Sequence, residues 1–455
     1  MTDRIFSAPT TINLELTEIC NSRCRHCYNF WRQEGGHRIS LSNDSVDRLV
    51  KMFVDAGVFH VVLSGGEPLC TFDLLEYALK RLKEGGLTVS CNSNLMLATD
   101  EKMRRLREAG LDHVLTSLNS HDPAVNDYMV NQPGAFNRII AGIELARRND
   151  IRVSANMIVC RQNMDHVYQT GRLAANLGCQ RIFGTRVVPC VTLRDVHGTD
   201  YDMEKKDALY VLDELVRVKD DAGIMIGSLV SYPLCLLGDL ERYADFVGRG
   251  CPAQRGHRMN INANGDGHAC VHESISYGNV FQEGLVAVWR KFREWHAGEY
   301  LHAQCRSCAF EHVCNSGCRM SALALNGSLH GPDPLMCGPE GMTKPYKLVY
   351  DESFHLRVKQ GVRFRVPQRI RFRREDGYCL LNIRWANTIM VENSVAQFLE
   401  RHKDAHTTFD CAEFGSERSA LLAELYFKDA VESDDIAYDD ERSRVGLSAD
   451  LTVSR

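Results

Sequence analysis

Between Thr11 and Ala222 the chain repeats one pattern six times: a short apolar or β-branched run, then a longer amphipathic stretch. The runs fall at 12–16, 61–64, 88–93, 114–118, 153–159 and 182–188, and the stretches at 45–56, 74–83, 100–109, 136–148, 165–177 and 204–221. Ser40 to Asp44 supplies a helix start before the first stretch, and Gly57, Gly85, Gly110 and Gly178 follow four of them as stops. Such alternation predicts an α/β fold with a parallel sheet, whose sites form at the C-terminal ends of the strands. At 455 residues the chain exceeds one ordinary core, so two or three domains are expected.

The first predicted strand, within Thr11-Ile-Asn-Leu-Glu-Leu-Thr17, runs into Cys20-Asn-Ser-Arg-Cys24-Arg-His-Cys27-Tyr28. Three thiolates at this spacing can wrap one face of a cubane iron-sulfur cluster but cannot supply a fourth ligand, which leaves one iron open. A structural zinc wants four ligands, and the nearest spare candidates, His26 and His37, are not spaced as a paired finger. From the triplet alone, zinc and a cubane both stand. The second strand ends in Ser64-Gly65-Gly66-Glu67-Pro68, where two glycines permit close backbone approach and Glu67 and Pro68 end the strand; a plain tight turn is the default reading. Strand three ends in Cys91-Asn92-Ser93-Asn94-Leu95, strand four in Ser117-Leu118-Asn119, and Asn156 lies on strand five. Asn and Ser also cap strand ends and turns without any further role.

Of the 18 cysteines, ten fall at short metal-type spacings. Cys91, Cys160 and Cys179 sit inside apolar runs and read as core, and Cys190 in the loop after strand six as incidental. The second cysteine region begins at Cys251, continues through Gly265 to Cys270, reaches Cys305-x2-Cys308-x5-Cys314-x3-Cys318, and closes at Cys337. Seven cysteines fit two four-ligand sites with one place left over, whereas a single zinc leaves three of the seven unexplained.

The triplet, with His26 before its last cysteine and Tyr28 after it, resembles the signature of radical SAM enzymes, and the seven later cysteines resemble the SPASM extension of the peptide maturases in that family. The resemblance implies a partial (β/α)6 TIM barrel over 8–235, a Cys-rich SPASM domain over 236–343, and a 4Fe-4S cluster on Cys20, Cys24 and Cys27 that binds S-adenosyl-L-methionine. It further assigns the cofactor to Tyr28, Gly65, Gly66, Glu67 and Pro68, with Ser93, Asn94, Ser117, Asn119 and Asn156 facing its ribose and carboxylate. Two auxiliary 4Fe-4S clusters are implied, one on Cys305, Cys308, Cys314 and Cys337, the other on Cys251, Cys270 and Cys318. Some relatives complete the latter with a cysteine a few residues after the first; here His257 stands in that neighbourhood, and the alternatives are a His or solvent-derived ligand, an open iron, or, more plainly, a surface histidine. Two departures are plain: Leu95 replaces the glycine of a Thr-Asn-Gly motif, and no arginine follows strand four until Arg138.

Beyond Cys337 the metal signals stop. Arg363-Phe-Arg-Val-Pro and Arg369-Ile-Arg-Phe-Arg373 alternate basic and apolar residues, Glu375-Asp376-Gly377 is a hairpin turn, and strands at 378–381 and 388–391 precede helices at 394–401 and 417–427. The pattern over 344–431 looks like the winged-helix module that binds leader peptides in ribosomal-peptide biosynthesis. An edge rimmed by Arg363, Arg365, Arg369, Arg371 and Arg373 suits an acidic extended peptide, or simply protects the edge. The acidic stretch 432–455 is expected to be disordered.

The expected activity is reductive cleavage of S-adenosylmethionine and hydrogen abstraction from a peptide, ending in an oxidative modification such as a crosslink. An external electron donor such as flavodoxin or ferredoxin would serve it. The alternatives are a radical SAM dehydrogenase or maturase acting on a folded protein or small molecule, and a non-catalytic iron-sulfur electron carrier. A net charge of -5 argues against nucleic acid, and no apolar run spans a bilayer, so a cytoplasmic location is expected.

Overall fold

A computed structural model describes residues 5–32, 38–188, 200–248, 250–342, 358 and 361–436. His37, Cys190 and the tail from 437 therefore lie outside the described residues. The chain divides into two compact units, Met1–Thr343 and Lys344–Arg455.

In the first unit β1 (Thr11–Glu15), β2 (His60–Ser64), β3 (Thr88–Asn92), β4 (His113–Ser117), β5 (Arg152–Val159) and β6 (Arg181–Arg186) lie side by side in chain order, each parallel to the next. Every residue of β1 is buried, as a strand covered on both faces requires. The helices between strands turn one apolar face inward. Asn43–Asp55 buries Val46, Leu49, Val50 and Phe53, and Ser42 caps it by accepting from the Ser45 N–H. Gly57, Gly110 and Gly178 follow their helices at positive φ, as the stop signals predict.

The sheet is larger than the six predicted strands. β7 (Met225–Gly227) adds parallel to β6 and is too short to show an alternation in sequence. At the other edge β8 (Arg258–Ile261), from the cysteine-rich region, pairs parallel with β1, and β9 (Gly267–His268) pairs antiparallel with β8. The order is β7-β6-β5-β4-β3-β2-β1-β8-β9. Barrel and SPASM region thus share one sheet.

In the second unit β11 (Arg371–Arg374), β12 (Tyr378–Arg384) and β13 (Asn387–Glu392) form an antiparallel meander, while β10 (Phe364–Arg365) pairs with β14 (Thr408–Phe409). Helices Asn393–Asp404 and Ser419–Phe427 complete a core containing Phe364, Leu399, Phe409 and Tyr426. Two expectations are corrected here. The arginines do not rim one edge: Arg363 and Arg365 belong with β10, whereas Arg371 and Arg373 lie on β11, bonded to Asn382 and Glu375. The acidic stretch is ordered over 432–436. Glu432 exchanges both backbone hydrogen bonds with Arg365 (2.8 and 2.9 Å) and pairs with Arg369 at 2.6 Å, Asp435 accepts from the Arg363 N–H at 2.7 Å, and Asp434 pairs with Arg365. Val431 and Ile436, both buried, anchor this segment at its ends.

Candidate functional site

The loop 18–29 leaves the C-terminal end of β1 and carries Cys20, Cys24 and Cys27; none of the described cysteines is in a disulfide. Its position comes from the glycines after β2. The Gly66 N–H donates to the Thr17 carbonyl at 2.6 Å and the Glu67 N–H to the Ile19 carbonyl at 2.8 Å, so the two loops run as a short ladder. A Cβ on Gly65 would lie 2.4 Å from the Thr17 carbonyl oxygen, and one on Gly66 2.2 Å from that of Ile19, so only glycine fits at either place. The glycines admit the cysteine loop itself.

Glu67 is buried and ties the next strand end to this ladder. Its carboxylate accepts from the Ser93 hydroxyl at 2.6 Å and from the N–H groups of Asn94 and Leu69 at 2.7 and 3.0 Å. Asn94 then donates from Nδ2 to Asn21 Oδ1 at 2.8 Å, inside the triplet loop. Pro68 starts a short helix Pro68–Thr71. Leu95 takes φ +58, the left-handed conformation of the glycine it replaces, and the bare face of Gly142 packs on its carbonyl. Ser93, expected at the cofactor, spends its hydroxyl on Glu67.

Ser117 stands opposite Asn156 in the β4/β5 register. Asn156 Oδ1 accepts from Thr185 at 2.6 Å, and Asn119 Oδ1 accepts from the Ile158 N–H at 3.1 Å. Arg138 donates to the Pro133 carbonyl on the surface, and does not take the place of the missing arginine.

The triplet has a cation that its motif does not announce. Arg32 donates to the Ser22 carbonyl at 2.8 Å; burial alone would depress it, but the thiols of Cys27, Cys20 and Cys24 outweigh that and hold it above its ordinary range. Burial, then Cys27 and Cys20, pushes the Cys24 thiol up to about 12, and burial with Arg32 lowers His26 to about 4. Asn13 Nδ2, His26 Nδ1, Asn29 Oδ1 and Asn119 Nδ2 are buried without a hydrogen-bond partner. Three unbridged thiols beside a guanidinium and orphaned polar atoms suit an anionic cluster with a polar ligand. Glu15, at the end of β1, accepts from Trp31 Nε1 at 3.1 Å, and burial raises it to about 7.

Cys251, Cys270 and Cys318 come together: burial raises the Cys270 thiol well above its usual value, and Cys251 and Cys318 add to the rise. The Cys318 N–H donates at 2.7 Å to Asp333, which is fully buried and paired with Arg186 at the end of β6. His257 is turned toward Thr10 and Phe6. The histidine beside this group is His272 instead, with Nδ1 3.6 Å from Cys270 Sγ and its ring 5.0 Å from that of Tyr28. Tyr28 thus stands between the triplet and the second thiol group. Cys305, Cys308 and Cys314 line one cavity, and Cys337 is adjacent but exposed. Cys235, which no motif includes, lines the same cavity. No group of three or more His, Cys, Asp or Glu among the described residues is arranged around a single ion.

Residues 14–174 match the radical SAM superfamily, and residues 251–309 match the SPASM iron-sulfur cluster-binding domain. The chain carries a radical SAM domain followed by a SPASM domain. It is similar to the AdoMet-dependent heme synthase of Methanosarcina barkeri (strain Fusaro / DSM 804), at 26% identity over 72% of this chain and 96% of that one. It is also similar to the PqqA peptide cyclase of Rhizobium meliloti (strain 1021), at 28% identity over 72% of this chain and 86% of that one. Streptococcus suis SuiB bound to S-adenosylmethionine has the same fold, with a TM-score of 0.57 and 17% identity over 72% of this chain and 77% of that one; SuiB is also solved with its precursor peptide SuiA. The radical SAM domain is the strand-helix series that positions the triplet, and the SPASM domain is what extends its sheet beyond β1. Among the described residues no helix is long and apolar enough to cross a membrane.

Proposed function

We propose that this chain is a radical SAM enzyme that abstracts hydrogen from a peptide and thereby begins an oxidative modification such as a crosslink. The observation that carries the reading is the loop of Cys20, Cys24 and Cys27 locked by backbone hydrogen bonds onto Gly65, Gly66 and Glu67 at adjacent strand ends. In this reading the three thiolates hold a cluster with one open iron, Arg32 offsets its charge, and Tyr28 and Pro68 shape the same end of the barrel. When bound, cluster and S-adenosylmethionine would supply a 5'-deoxyadenosyl radical. Ser117, Asn119 and Asn156 are assigned to the cofactor's polar groups. Cys251, Cys270 and Cys318 hold one auxiliary cluster, and Cys305, Cys308 and Cys314 the other, with a fourth thiolate from Cys337 or Cys235.

Peptide as substrate is supported by the likeness to the PqqA peptide cyclase and by the fold shared with SuiB. The second unit is assigned to peptide docking, because β10 already accepts an acidic extended segment from its own chain. A tetrapyrrole-like small molecule is the second reading, favoured by the likeness to the heme synthase. The test is anaerobic reconstitution: about twelve irons per chain and release of 5'-deoxyadenosine with reductant are expected. Cys24→Ala should abolish that product, and continued turnover would overturn the reading. Peptides encoded beside this gene, offered against porphyrin precursors, decide the substrate class by which one loses hydrogen in the mass spectrum.

A further inference from the structure

Where the SPASM region joins the sheet, the chain buries a cation that nothing neutralises. Arg258 opens β8, just after the turn that begins at Cys251, and stands in register with Thr11 of β1. In the β8/β9 pairing Asn260 lies opposite His268, so the same register carried two residues further sets Arg258 across from Cys270 on one face. Its Nε is buried without a hydrogen-bond partner, and among the described residues its side chain makes no hydrogen bond, ion pair or ring contact. What faces it are the thiols of Cys270 and Cys251 and the Tyr28 phenol; burial outweighs their attraction and holds it below its ordinary range. Arg186, Arg319 and Arg32 are also buried, yet each is anchored. Arg186 pairs with Asp333, Arg319 donates to the carbonyls of Tyr300, Leu329 and Gly331, and Arg32 donates to that of Ser22. Arg319 also lies near Cys305 as well as Cys318 and Cys251, so it does not tell the two auxiliary thiol groups apart. Arg258 does.

A buried, unpaired charge is unfavourable unless an anion belongs beside it. The thiols become that anion when they give up their protons to metal. A 4Fe-4S core on three thiolates carries net negative charge, and reduction adds one more. We propose that Arg258 is the counter-charge of the auxiliary cluster held by Cys251, Cys270 and Cys318, favouring its reduced state and leaving the cluster of Cys305, Cys308 and Cys314 unaffected. The proposal rests on the reading that both thiol groups hold 4Fe-4S clusters. Before loading, Arg258 destabilises the chain; afterwards the same residue holds the charge of the metal group. An electron released by an oxidised substrate settles on this cluster more readily than it would without Arg258.

The test uses the full chain with Cys20, Cys24 and Cys27 changed to Ala, reconstituted anaerobically and titrated with dithionite while electron paramagnetic resonance is read. Two auxiliary waves are expected, and Cys308→Ala identifies the one belonging to the other cluster by removing it. Arg258→Met should lower the remaining wave by about tenfold in the ratio of reduced to oxidised cluster, or about 59 mV, and Arg258→Lys should restore most of it. An unmoved wave, or an equal shift in both, overturns the proposal. Stability gives a second readout of opposite sign. With iron chelated, Arg258→Met should unfold at the same urea concentration as the parent or a higher one, because an unpaired buried charge is gone. A lower midpoint shows that Arg258 serves the fold instead, and overturns the assignment. If Arg258→Met does not hold iron, Arg258→Lys decides: loading with a parent-like wave supports the counter-charge, and failure to load overturns it. Both waves persisting in Cys270→Ala would show that the cluster reading beneath the proposal is wrong.

Discussion

Gly66 shows how little room the cofactor end of the barrel leaves. A methyl group there would meet the carbonyl of Ile19, one residue before Cys20, so Gly66→Ala is expected to push the triplet loop outward. The cost should be about 1–3 kcal/mol in urea unfolding, with about four irons lost per chain on reconstitution. Asp333 is a different kind of constraint. Its Ala variant leaves Arg186 buried and unpaired and should destabilise the apo chain by about 3–5 kcal/mol; Arg186→Met combined with Asp333→Leu should recover part of that, the remainder reflecting the N–H groups of Cys318 and Leu335 that Asp333 also accepts. Glu15 carries a pH dependence. Its folded value near 7 lies above the unfolded one, so the folded state holds the extra proton and stability falls as pH rises from about 4.5 through 7. Glu15→Gln should match the parent near pH 4.5 and exceed it at pH 8 by on the order of 2–3 kcal/mol, measured by denaturation at both pH values. The triplet, the Gly-Gly-Glu-Pro turn and the seven cysteines were legible because each is a short local pattern that resembles a family motif. Arg32, Glu15 and His272 were not, since each meets the site across a fold contact with no local signature.

At the scale of elements, β1, β2, β5 and β6 could be read from continuous apolar or β-branched runs because nearly every residue of each is buried, whereas β3 and β4 bury alternate residues and read by alternation. β7, at three residues, gives no period to detect, and β8 reads as part of a cysteine-rich loop until its pairing with β1 is seen. The acidic segment after Val431 misled for a related reason: composition averaged over 24 positions hides one Ile that is buried and one residue that bridges a strand. A chain ending at Val431 should therefore be less stable than one ending at Ile436 by about 2–4 kcal/mol, from one buried Ile and two backbone hydrogen bonds. Thermal unfolding of the two truncated chains checks this, and equal midpoints would mean the segment contributes nothing to the second unit. The same segment sets a condition for any acidic guest at β10: the guest must displace it.

At the scale of the molecule, β1 delivers the Cys20 loop on one side of the sheet's middle and takes β8 as its outer neighbour. Thr10 and His257, hydrogen-bonded where that pairing begins, are 247 residues apart in the chain. At about 5–20 residues per second of synthesis, β1 leaves the ribosome roughly ten to fifty seconds before the strand that will cover it. During that interval its open edge can pair with any passing strand, its own or a neighbour's. The cysteine loop it carries is held by Gly66 and Glu67 as soon as β2 has paired, but the other edge of β1 stays open until β8 arrives. Slow translation of the region around residues 258–261 would therefore appear as aggregated protein, from the edge of β1 left open, rather than as a catalytic defect.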